Sequence, residues 1–193
     1  MIIGVTGRIG AGKGTIVQYL RKKGFVVFSF SKMIRQEALK RGYGMDRASL
    51  EKVGDLIREE KGDEAVFAKR IMEKINKQKV KNAAIDGIRQ PWEIKEFRKH
   101  GNFYLIAVDA DQRIRFERTA KRGKPSDQTD FEKFKYFDEK EYYGRGKAHQ
   151  QIKKSMEMAD FYIRNDGTLE ELYKKVDDVL KKIRRNQKTK KRD

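Results

Sequence analysis

The amino-acid sequence predicts an α/β fold, in which helices wind on both faces of a parallel sheet. Three observations support this prediction. Short apolar segments of strand length alternate along the chain with longer segments of helical periodicity. Each segment between two predicted strands is long enough for the helical crossover that parallel strands require. A glycine-rich turn follows the first apolar segment directly, as is typical where a parallel strand leads into a helix.

Five strands are predicted from the short apolar segments. The first begins almost at the first residue, and its run Ile2-Ile3-Gly4-Val5 is apolar with a single glycine inside it. Such a run is typical of a strand that is buried on both faces of a sheet. The predicted strands comprise residues 2–6, 25–30, 83–85, 103–108 and 161–163.

The segments between the strands carry the periodicity and the end signals of helices. In the first segment, Ile16, Val17 and Leu20 form an apolar stripe, and Gly24 stands where a helix-terminating glycine is expected. Residues 31–78 predict an insertion of about two to four helices, punctuated by glycines. The other predicted helices comprise residues 13–23, 112–122 and a C-terminal helix that is capped by Thr168 and ends at about Ile183.

An aromatic segment follows the helix predicted at 112–122. Phe131, Phe134 and Phe137 are spaced three residues apart, which is typical of one apolar helix face in the core. Stacking of these rings on a nucleobase is the alternative. We therefore expect a helix here whose phenylalanines form its buried side.

Length and composition limit the class of protein. A chain of 193 residues fits one domain, here residues 1–183. Lys and Arg total 47 against 29 Asp and Glu, and the net charge of +18 favours polyanionic ligands. The sequence contains no cysteine, so any metal must have oxygen or histidine ligands. No apolar run approaches the roughly 20 residues of a membrane span and no signal peptide is recognised, so we expect a cytoplasmic protein without membrane contact.

The glycine-rich turn has the spacing of a phosphate-binding loop. Gly7-Arg8-Ile9-Gly10-Ala11-Gly12-Lys13 matches the GxxxxGK pattern and lies between a predicted strand and a predicted helix, as that pattern requires. Successive glycines let backbone amides surround a phosphate, and the helix N-terminus adds its partial positive charge. Lys13 is expected to bridge the terminal phosphates of a nucleotide. An ordinary glycine-rich turn is the alternative.

The position after this lysine departs from the common pattern. Many phosphate-binding loops carry a Mg²⁺-binding Ser or Thr there, whereas this chain has Gly14. Either Thr15 supplies the hydroxyl, or Mg²⁺ is held mainly by phosphates, water and a carboxylate. Asp86 is the candidate carboxylate, because it ends a predicted strand at the sheet edge where α/β proteins bind ligands. A turn-forming Asp before Gly87 is the alternative.

The loop ending Gly10-Ala11-Gly12-Lys13-Gly14-Thr15 resembles that of the P-loop nucleoside monophosphate kinases, in particular adenylate kinase. The wider resemblance, to about residue 180, is to dephospho-CoA kinases, phage deoxynucleoside monophosphate kinases and an archaeal group of uncharacterised adenylate-kinase-like proteins. Three further blocks carry it. They are Met33-Ile34-Arg35, Asp86-Gly87-Ile88-Arg89, and a block formed by residues 108–111, Arg118, Arg122, 159–160 and 165–170.

This resemblance implies a three-layer P-loop fold whose parallel sheet has five strands in the order 2-3-1-4-5. The helical insertion at about 31–78 then binds the acceptor, and a short, zinc-free lid at about 118–150 closes over the donor. The implied cofactors are ATP and Mg²⁺. The implied partner is a small nucleotide, bound by a monomer or a homodimer.

The resemblance also assigns roles to individual residues. Guanidinium groups suit several of them, because they bind phosphate through paired, charge-assisted hydrogen bonds. The implied catalytic residues are Lys13, Asp86, Arg89, Arg118 and Arg122, and the implied Mg²⁺ ligands, partly through water, are Thr15 and Asp86. The implied acceptor-binding residues are Arg35, Arg58 and Arg89, and the donor-binding residues are Gly7, Gly10, Ala11, Gly12, Lys13, Gly14, Thr15, Asn165 and Gly167. For Arg58 a solvated helix position is the alternative, and for residues 165–167 an ordinary turn.

The chemistry of the acceptor bears on which function we predict. A monophosphate is already anionic, whereas a sugar hydroxyl benefits from a carboxylate base. Dephospho-CoA kinases carry an aspartate at the end of the second strand, where this chain has Phe28-Ser29-Phe30-Ser31. We therefore predict ATP-dependent transfer to a nucleoside or deoxynucleoside monophosphate. The alternatives are a dephospho-CoA kinase, with Asp86 as base, and a P-loop ATPase or nucleotide switch that binds RNA.

Positive charge is concentrated at the C-terminus. Residues 181–193 contain eight Lys or Arg and one acidic residue, with no apolar residue after Ile183. We therefore expect residues 184–193 to be a basic, disordered tail. Such a segment contacts nucleic acid weakly and without sequence preference, or has no partner.

Overall fold

The computed structural model describes residues 1–123, 127, 130–144 and 150–189. It confirms the predicted α/β fold. The strands are β1 (Ile2–Gly7), β2 (Val26–Ser29), β3 (Ala83–Asp86), β4 (Phe103–Asp109) and β5 (Phe161–Arg164). The helices are α1 (Lys13–Lys22), α2 (Phe30–Lys40), α3 (Arg47–Lys61), α4 (Val66–Lys77), α5 (Pro91–Arg98), α6 (Gln112–Arg122), α7 (Phe131–Tyr143), α8 (Ile152–Glu157) and α9 (Leu169–Thr189). Among these described helices, none combines the length and the apolarity that crossing a membrane would need.

The strand order is β2-β3-β1-β4-β5 and all neighbouring strands are parallel, which confirms the implied topology. β1 lies at the centre of the sheet, between β3 and β4. The carboxyl end of β1 therefore delivers the glycine-rich loop to the middle of the sheet edge. In open parallel sheets this is the edge where ligands bind.

Helices cover both faces of the sheet, which confirms the three-layer arrangement. Successive residues of β4 face opposite sides, because side chains alternate along a strand. Leu105 packs into one apolar cluster and Ile106 into the other. The first cluster includes Phe30, Phe67, Ile85, Phe97 and Leu105, and the second includes Ile16, Leu20, Ile106, Val176 and Ile183.

Three helices, α2 to α4, form the segment predicted as a helical insertion. The first begins at Phe30 because Ser29 caps it: the Ser29 hydroxyl accepts a hydrogen bond from the Lys32 amide at 3.3 Å. The prediction that the second strand extends through Phe30 was therefore wrong. Phe30 instead packs edge-on against Phe67 and Phe97 in the core.

The C-terminal helix is longer than the sequence predicts. α9 begins after Thr168, whose hydroxyl accepts a hydrogen bond from the Glu171 amide at 3.2 Å, and it continues through Thr189. The predicted helix end at Ile183 and the predicted disorder of residues 184–189 were therefore wrong. A hydrogen bond of 2.6 Å from Gln187 Nε2 to Asn102 Oδ1 joins this extension to the loop before β4. Residues 190–193 of the predicted tail lie outside the described residues.

Candidate active site

Other parts of the chain pack closely against one side of the loop between β1 and α1, which explains two of its glycines. Gly10 and Gly12 have positive φ angles of 76° and 105°, a region that favours glycine. A Cβ atom on Gly10 would lie 2.3 Å from the Arg115 carbonyl oxygen, and one on Gly12 would lie 2.5 Å from Asn165 Nδ2. A Cβ atom on Gly14 would have nothing within 4 Å among the described residues. The loop is therefore closely packed at Gly10 and Gly12 and open at Gly14.

Lys13 turns back onto this loop. Its ammonium group donates hydrogen bonds of 2.7 Å to the carbonyl oxygens of Gly7 and Arg8. Burial and the nearby Arg89 guanidinium lower the pKa of Lys13 to about 7, against the opposing effect of nearby carboxylates. Near neutral pH the charged and neutral forms of this side chain are therefore both populated, and an approaching anion favours the charged form.

A cavity of about 710 Å³ lies over the loop and brings most of the predicted site residues together. Its lining combines residues of the glycine-rich loop and α1 with residues of β2, α2, α3, the end of β3 and the segment after it, α6 and α9. The predicted residues in the lining are Gly10, Ala11, Gly12, Lys13, Gly14, Thr15, Arg35, Asp86, Arg89, Arg118 and Arg122. The predicted residues Gly7, Arg58, Asn165 and Gly167 are outside it.

The oxygen atoms predicted to hold a magnesium ion lie in the same cavity. Asp86 ends β3 in register with Ser29 of β2, whose hydroxyl lies 3.5 Å from Asp86 Oδ2. Both residues line the cavity together with Thr15. The part of the chain that the structure describes has no group of three or more His, Cys, Asp or Glu side chains placed to hold a metal ion by themselves. Mg²⁺ keeps several waters and is commonly held by one or two carboxylates plus substrate phosphates, so this donor set fits it.

Asp138 of α7, which the sequence analysis missed, forms buried ion pairs that support the phosphate loop. Asp138 accepts hydrogen bonds of 2.6 and 2.9 Å from Arg115 and one of 2.5 Å from Arg8 of the loop. Arg115 is 1% exposed and also donates to the carbonyl oxygens of Ile9 and Ala110. Burial alone would raise the pKa of Asp138, but the hydrogen bonds from both arginines outweigh it and hold this pKa below its ordinary value. The loop, α6 and α7 therefore form one hydrogen-bonded unit.

A second carboxylate of α7 lies one turn further along, between two more arginines. Glu141 Oε1 accepts hydrogen bonds of 2.5 Å from Arg47 Nη1 and 3.2 Å from Arg89 Nη1. The Oε2 atom of Glu141 is buried and has no hydrogen-bond partner among the described residues. Arg89 Nη1 also donates to Gln150 Oε1 at 2.6 Å. An internal carboxylate therefore engages Arg89, one of the predicted acceptor-binding residues.

A second cavity, of about 100 Å³, shares a wall with the first. The shared wall is formed by Ser31, Arg35, Arg47, Gly87 and Arg89. Gln90 lines the second cavity and is only 1% exposed, and its Nε2 atom has no hydrogen-bond partner within the described residues. A buried donor without a partner is costly, so this amide is suited to a ligand that supplies an acceptor atom.

Arg58, predicted to bind the acceptor, lies in the wall of the second cavity. Its terminal nitrogens donate to Asp55 at 3.1 Å and to Glu93 at 3.3 Å. Burial raises the pKa of Glu93, an effect that the charge of Arg58 opposes. Glu93 Oε2 in turn accepts hydrogen bonds from the backbone amides of Arg89 and Gln90. Through Glu93, Arg58 supports the segment that carries Arg89.

Arg118 and Arg122 of α6 lie at the edge of the first cavity. Arg118 Nη1 donates to the Asn165 carbonyl oxygen at 2.8 Å, and Asn165 Nδ2 donates to the Ala11 carbonyl oxygen at 2.8 Å. The loop after β5 is thus tied both to α6 and to the phosphate loop. Arg122 forms an ion pair with Asp127, with a closest contact of 2.5 Å. Residues 124–126, 128–129 and 145–149 of the predicted lid lie outside the described residues.

The buried face of α7 differs from the predicted one. Phe134 is 2% exposed, but Phe131 and Phe137 are only partly covered, so the expectation that all three form the buried side was wrong. Asp138 and Glu141 complete the buried face instead. The positions 134, 138 and 141 have helical spacing, which was the available signal. The acidic side chains were not recognised as buried because their arginine partners come from other elements.

The fold and the loop together define the class of protein, a P-loop protein with a kinase-like α/β fold. The profile of a family described as AAA domain matches residues 3–144. A UPF0200 protein of Sulfurisphaera tokodaii is 36% identical over 182 residues, which cover 94% of this chain and 97% of that protein. The chain belongs to this AAA domain family and to the UPF0200 family.

Solved structures share this fold over nearly the whole chain. TT1252 from Thermus thermophilus has a TM-score of 0.62 at 18% identity, covering 96% of this chain and 97% of that one. Shikimate kinase from Bacteroides thetaiotaomicron has a TM-score of 0.59 at 14% identity, covering 94% of this chain and 98% of that one. At these identities the likeness concerns the fold alone.

Proposed function

We propose that this protein binds ATP with Mg²⁺ and transfers the terminal phosphoryl group to a nucleoside or deoxynucleoside monophosphate. The observation that carries this proposal is the wall shared by the two cavities, which presents Arg35, Arg47 and Arg89. Transfer between two nucleotides needs cations at the junction of donor and acceptor, because negative charge is concentrated there. The fold shared with shikimate kinase agrees with kinase chemistry.

On the donor side, the loop amides and Lys13 are suited to hold the triphosphate at the N-terminus of α1. Thr15 and Asp86 would hold Mg²⁺, partly through water, and the bound ion would neutralise phosphate charge. Arg122 is the residue of α6 that is suited to reach the γ-phosphate, by leaving its ion pair with Asp127. Arg118 keeps its structural contact with the loop after β5.

On the acceptor side, the strand ends favour an acceptor that is already ionised. β2 ends in Ser29, so it places no carboxylate where a hydroxyl acceptor would need a base. The Nε2 atom of Gln90, which has no partner among the residues that the structure describes, suits a carbonyl oxygen or ring nitrogen of a nucleobase. Dephospho-CoA is the second acceptor to test, because Asp86 ends the neighbouring strand.

A coupled assay of ADP release tests the proposal across the nucleoside and deoxynucleoside monophosphates and dephospho-CoA. We expect turnover with at least one monophosphate and none with dephospho-CoA. Turnover of dephospho-CoA alone would move the assignment to a hydroxyl acceptor. Binding of ATP without turnover of any acceptor would reject the kinase assignment for all of them.

ATP binding is expected to be linked to proton uptake at mildly alkaline pH. The pKa of Lys13 is about 7 in the free protein, so the side chain loses its charge above this pH. The phosphates of bound ATP favour the protonated form, so affinity should fall by up to about tenfold per pH unit in this range. Titration calorimetry in buffers of different ionisation enthalpy measures the uptake. Uptake that persists in Lys13→Met would assign it to another group.

Contact with nucleic acid is a second candidate function, favoured by exposed cations at the opposite edge of the sheet. The segments that enter neighbouring strands meet there: the Val26 amide donates to the Asn82 carbonyl oxygen, and the Ile2 amide to that of Asn102, both at 2.9 Å. We call the exposed cations of this region the basic edge. It comprises Arg21, Lys77, Lys79, Lys81, Lys182, Arg184 and Arg185, none of which has an ion pair with a described residue.

The double variant Lys79→Glu, Lys81→Glu is expected to weaken binding of a single-stranded RNA by about tenfold or more at low salt, because two phosphate contacts are lost. Filter binding over a salt series measures the affinity and its salt dependence. The matched control is Lys133→Glu, Lys135→Glu on the exposed side of α7, which makes the same change in net charge. Equal losses in both double variants would reduce the effect to net charge and reject the basic edge as a binding surface.

A further inference from the structure

We propose that Glu141 is an internal anion that occupies the acceptor-phosphate subsite and is displaced when the acceptor binds. The inference rests on the proposed function and locates that subsite between Arg47 and Arg89. It gives a role to Arg47 and to Glu141, neither of which the sequence analysis singled out.

The arginines around Glu141 face both cavities. Arg47 and Arg89 belong to the shared wall, and their nitrogens lie 2.5 and 3.2 Å from Glu141 Oε1. Arg35 belongs to the same wall, and its side chain forms no hydrogen bond or ion pair within the part of the chain that the structure describes. The wall therefore presents three guanidinium groups, and the Glu141 carboxylate contacts two of them, those of Arg47 and Arg89. A phosphate dianion, with more charge and more acceptor oxygens, matches this set better than a carboxylate does.

The two buried carboxylates of α7 differ in how completely they are satisfied. Both oxygens of Asp138 accept hydrogen bonds from Arg8 and Arg115, which fixes α7 to the loop and to α6. Glu141 accepts at Oε1, whereas its buried Oε2 atom has no partner among the described residues. A buried carboxylate oxygen without a partner has a free-energy cost. Asp138 is therefore suited to anchor α7, and Glu141 is suited to give way.

Displacement of Glu141 makes charge a condition for acceptor binding. A neutral hydroxyl cannot replace the carboxylate on two guanidinium groups, and it would leave both of them uncompensated. A ligand shifts an equilibrium only by its differential affinity for the two states. Here the difference comes from the contacts that a phosphate makes with Arg47 and Arg89 once Glu141 has left. The acceptor class is therefore one that carries a phosphate at this wall.

Glu141→Gln tests the proposal with inorganic phosphate as the probe and titration calorimetry as the measurement. The substitution keeps the shape of the side chain and removes the charge that competes with phosphate. We expect phosphate to bind about tenfold more tightly than it binds to the wild type, because the competent state is then more populated. Glu139→Gln is the matched control, since Glu139 is exposed on the same helix, and it should bind like the wild type.

Variants that lack Arg47 test where the phosphate binds. Adding Arg47→Met to Glu141→Gln should abolish the gain in affinity, and Arg47→Met alone should weaken phosphate binding. A gain that survives the loss of Arg47 would put the phosphate elsewhere and overturn the proposal. Thermal melting of each variant confirms that the chain is folded, and the single Arg47 variant still tests the subsite if Glu141→Gln does not fold.

The direction of the effect separates this proposal from a structural role. If Glu141 only positions Arg47 and Arg89, Glu141→Gln should weaken phosphate binding, and that result or unchanged binding would overturn the proposal. Tighter phosphate binding together with no turnover of any monophosphate would reject the kinase assignment but leave the subsite in place. Turnover of a monophosphate by the wild type, together with unchanged phosphate binding in Glu141→Gln, would support the kinase assignment but reject the subsite.

Discussion

Replacement of Asp138 by asparagine is expected to lower the free energy of unfolding by about 3–5 kcal/mol. The Asp138 carboxylate is 1% exposed and accepts hydrogen bonds from Arg8 and Arg115. After its loss, Arg115, also 1% exposed, keeps one ion pair among the described residues, to Asp109 at 3.4 Å. Removing one partner of a buried pair is strongly destabilising, because the other charge stays away from water. Chemical denaturation at neutral pH measures the change.

The pH dependence gives this prediction a sign. The pKa of Asp138 is lower in the folded chain than its ordinary value. The carboxylate therefore contributes stability above its unfolded pKa of about 3.9, and this contribution is lost as the pH falls through the folded pKa. The difference between wild type and Asp138→Asn should be full at neutral pH and shrink in acid.

The control for Asp138→Asn comes from the same helix. Glu139→Gln removes an exposed carboxylate next to Asp138 and should change the free energy of unfolding by less than about 0.5 kcal/mol. A stability of Asp138→Asn equal to that of the wild type would contradict the buried pair as the anchor of α7. A loss of equal size at neutral pH and at strongly acid pH would show that packing, and not charge, carries the effect.

Lys13→Met is expected to lower the rate of phosphoryl transfer by roughly 10²–10³-fold, the effect typical of removing one preorganised group that stabilises transition-state charge. Lys13 lines the first cavity, and within the described residues its ammonium group is hydrogen-bonded to two carbonyl oxygens. A donor phosphate offers a stronger partner than these neutral groups, so Lys13 is free to exchange them for it. The coupled assay measures the rate with whichever acceptor the wild type accepts.

The fold should survive the loss of Lys13. Within the described part of the chain, the substitution removes two hydrogen bonds, to the Gly7 and Arg8 carbonyl oxygens, at a cost of about 1 kcal/mol each. Lys74→Met, an exposed lysine of α4, is the control and should leave the rate unchanged. Wild-type rates in the Lys13 variant would contradict the phosphate-loop assignment.

The secondary structure was largely predictable because it depends on local patterns. α6 has the predicted bounds 112–122, and the five strands lie where the short apolar segments stand. Helix α8 was not predicted, and the other errors are at element ends, where one hydrogen bond decides. The Ser29 cap starts α2 earlier than predicted, and the bond from Gln187 to Asn102 holds the extension of α9. The lid, the cytoplasmic location and the oligomeric state stay predictions.

Part of the candidate site was also predictable, because parallel strands end at one edge of a sheet. Lys13 follows β1, Asp86 ends β3 and Arg89 follows it, so the topology alone brings them to one cavity. Arg35 joins them from the first helix of the insertion. Arg58 was predicted beside them but lies outside the lining of that cavity, engaged by two carboxylates.

The sequence by itself determined the fold class, the strand segments and the phosphate loop, since spacing and periodicity within a few tens of residues encode all three. Only the tertiary structure decided which side of α7 is buried and what it binds. Arg8 and Asp138 are 130 positions apart, and Arg47 and Glu141 are 94 apart. Helical spacing shows that Asp138 and Glu141 share a face, but a carboxylate is buried only where other elements bring cations to it.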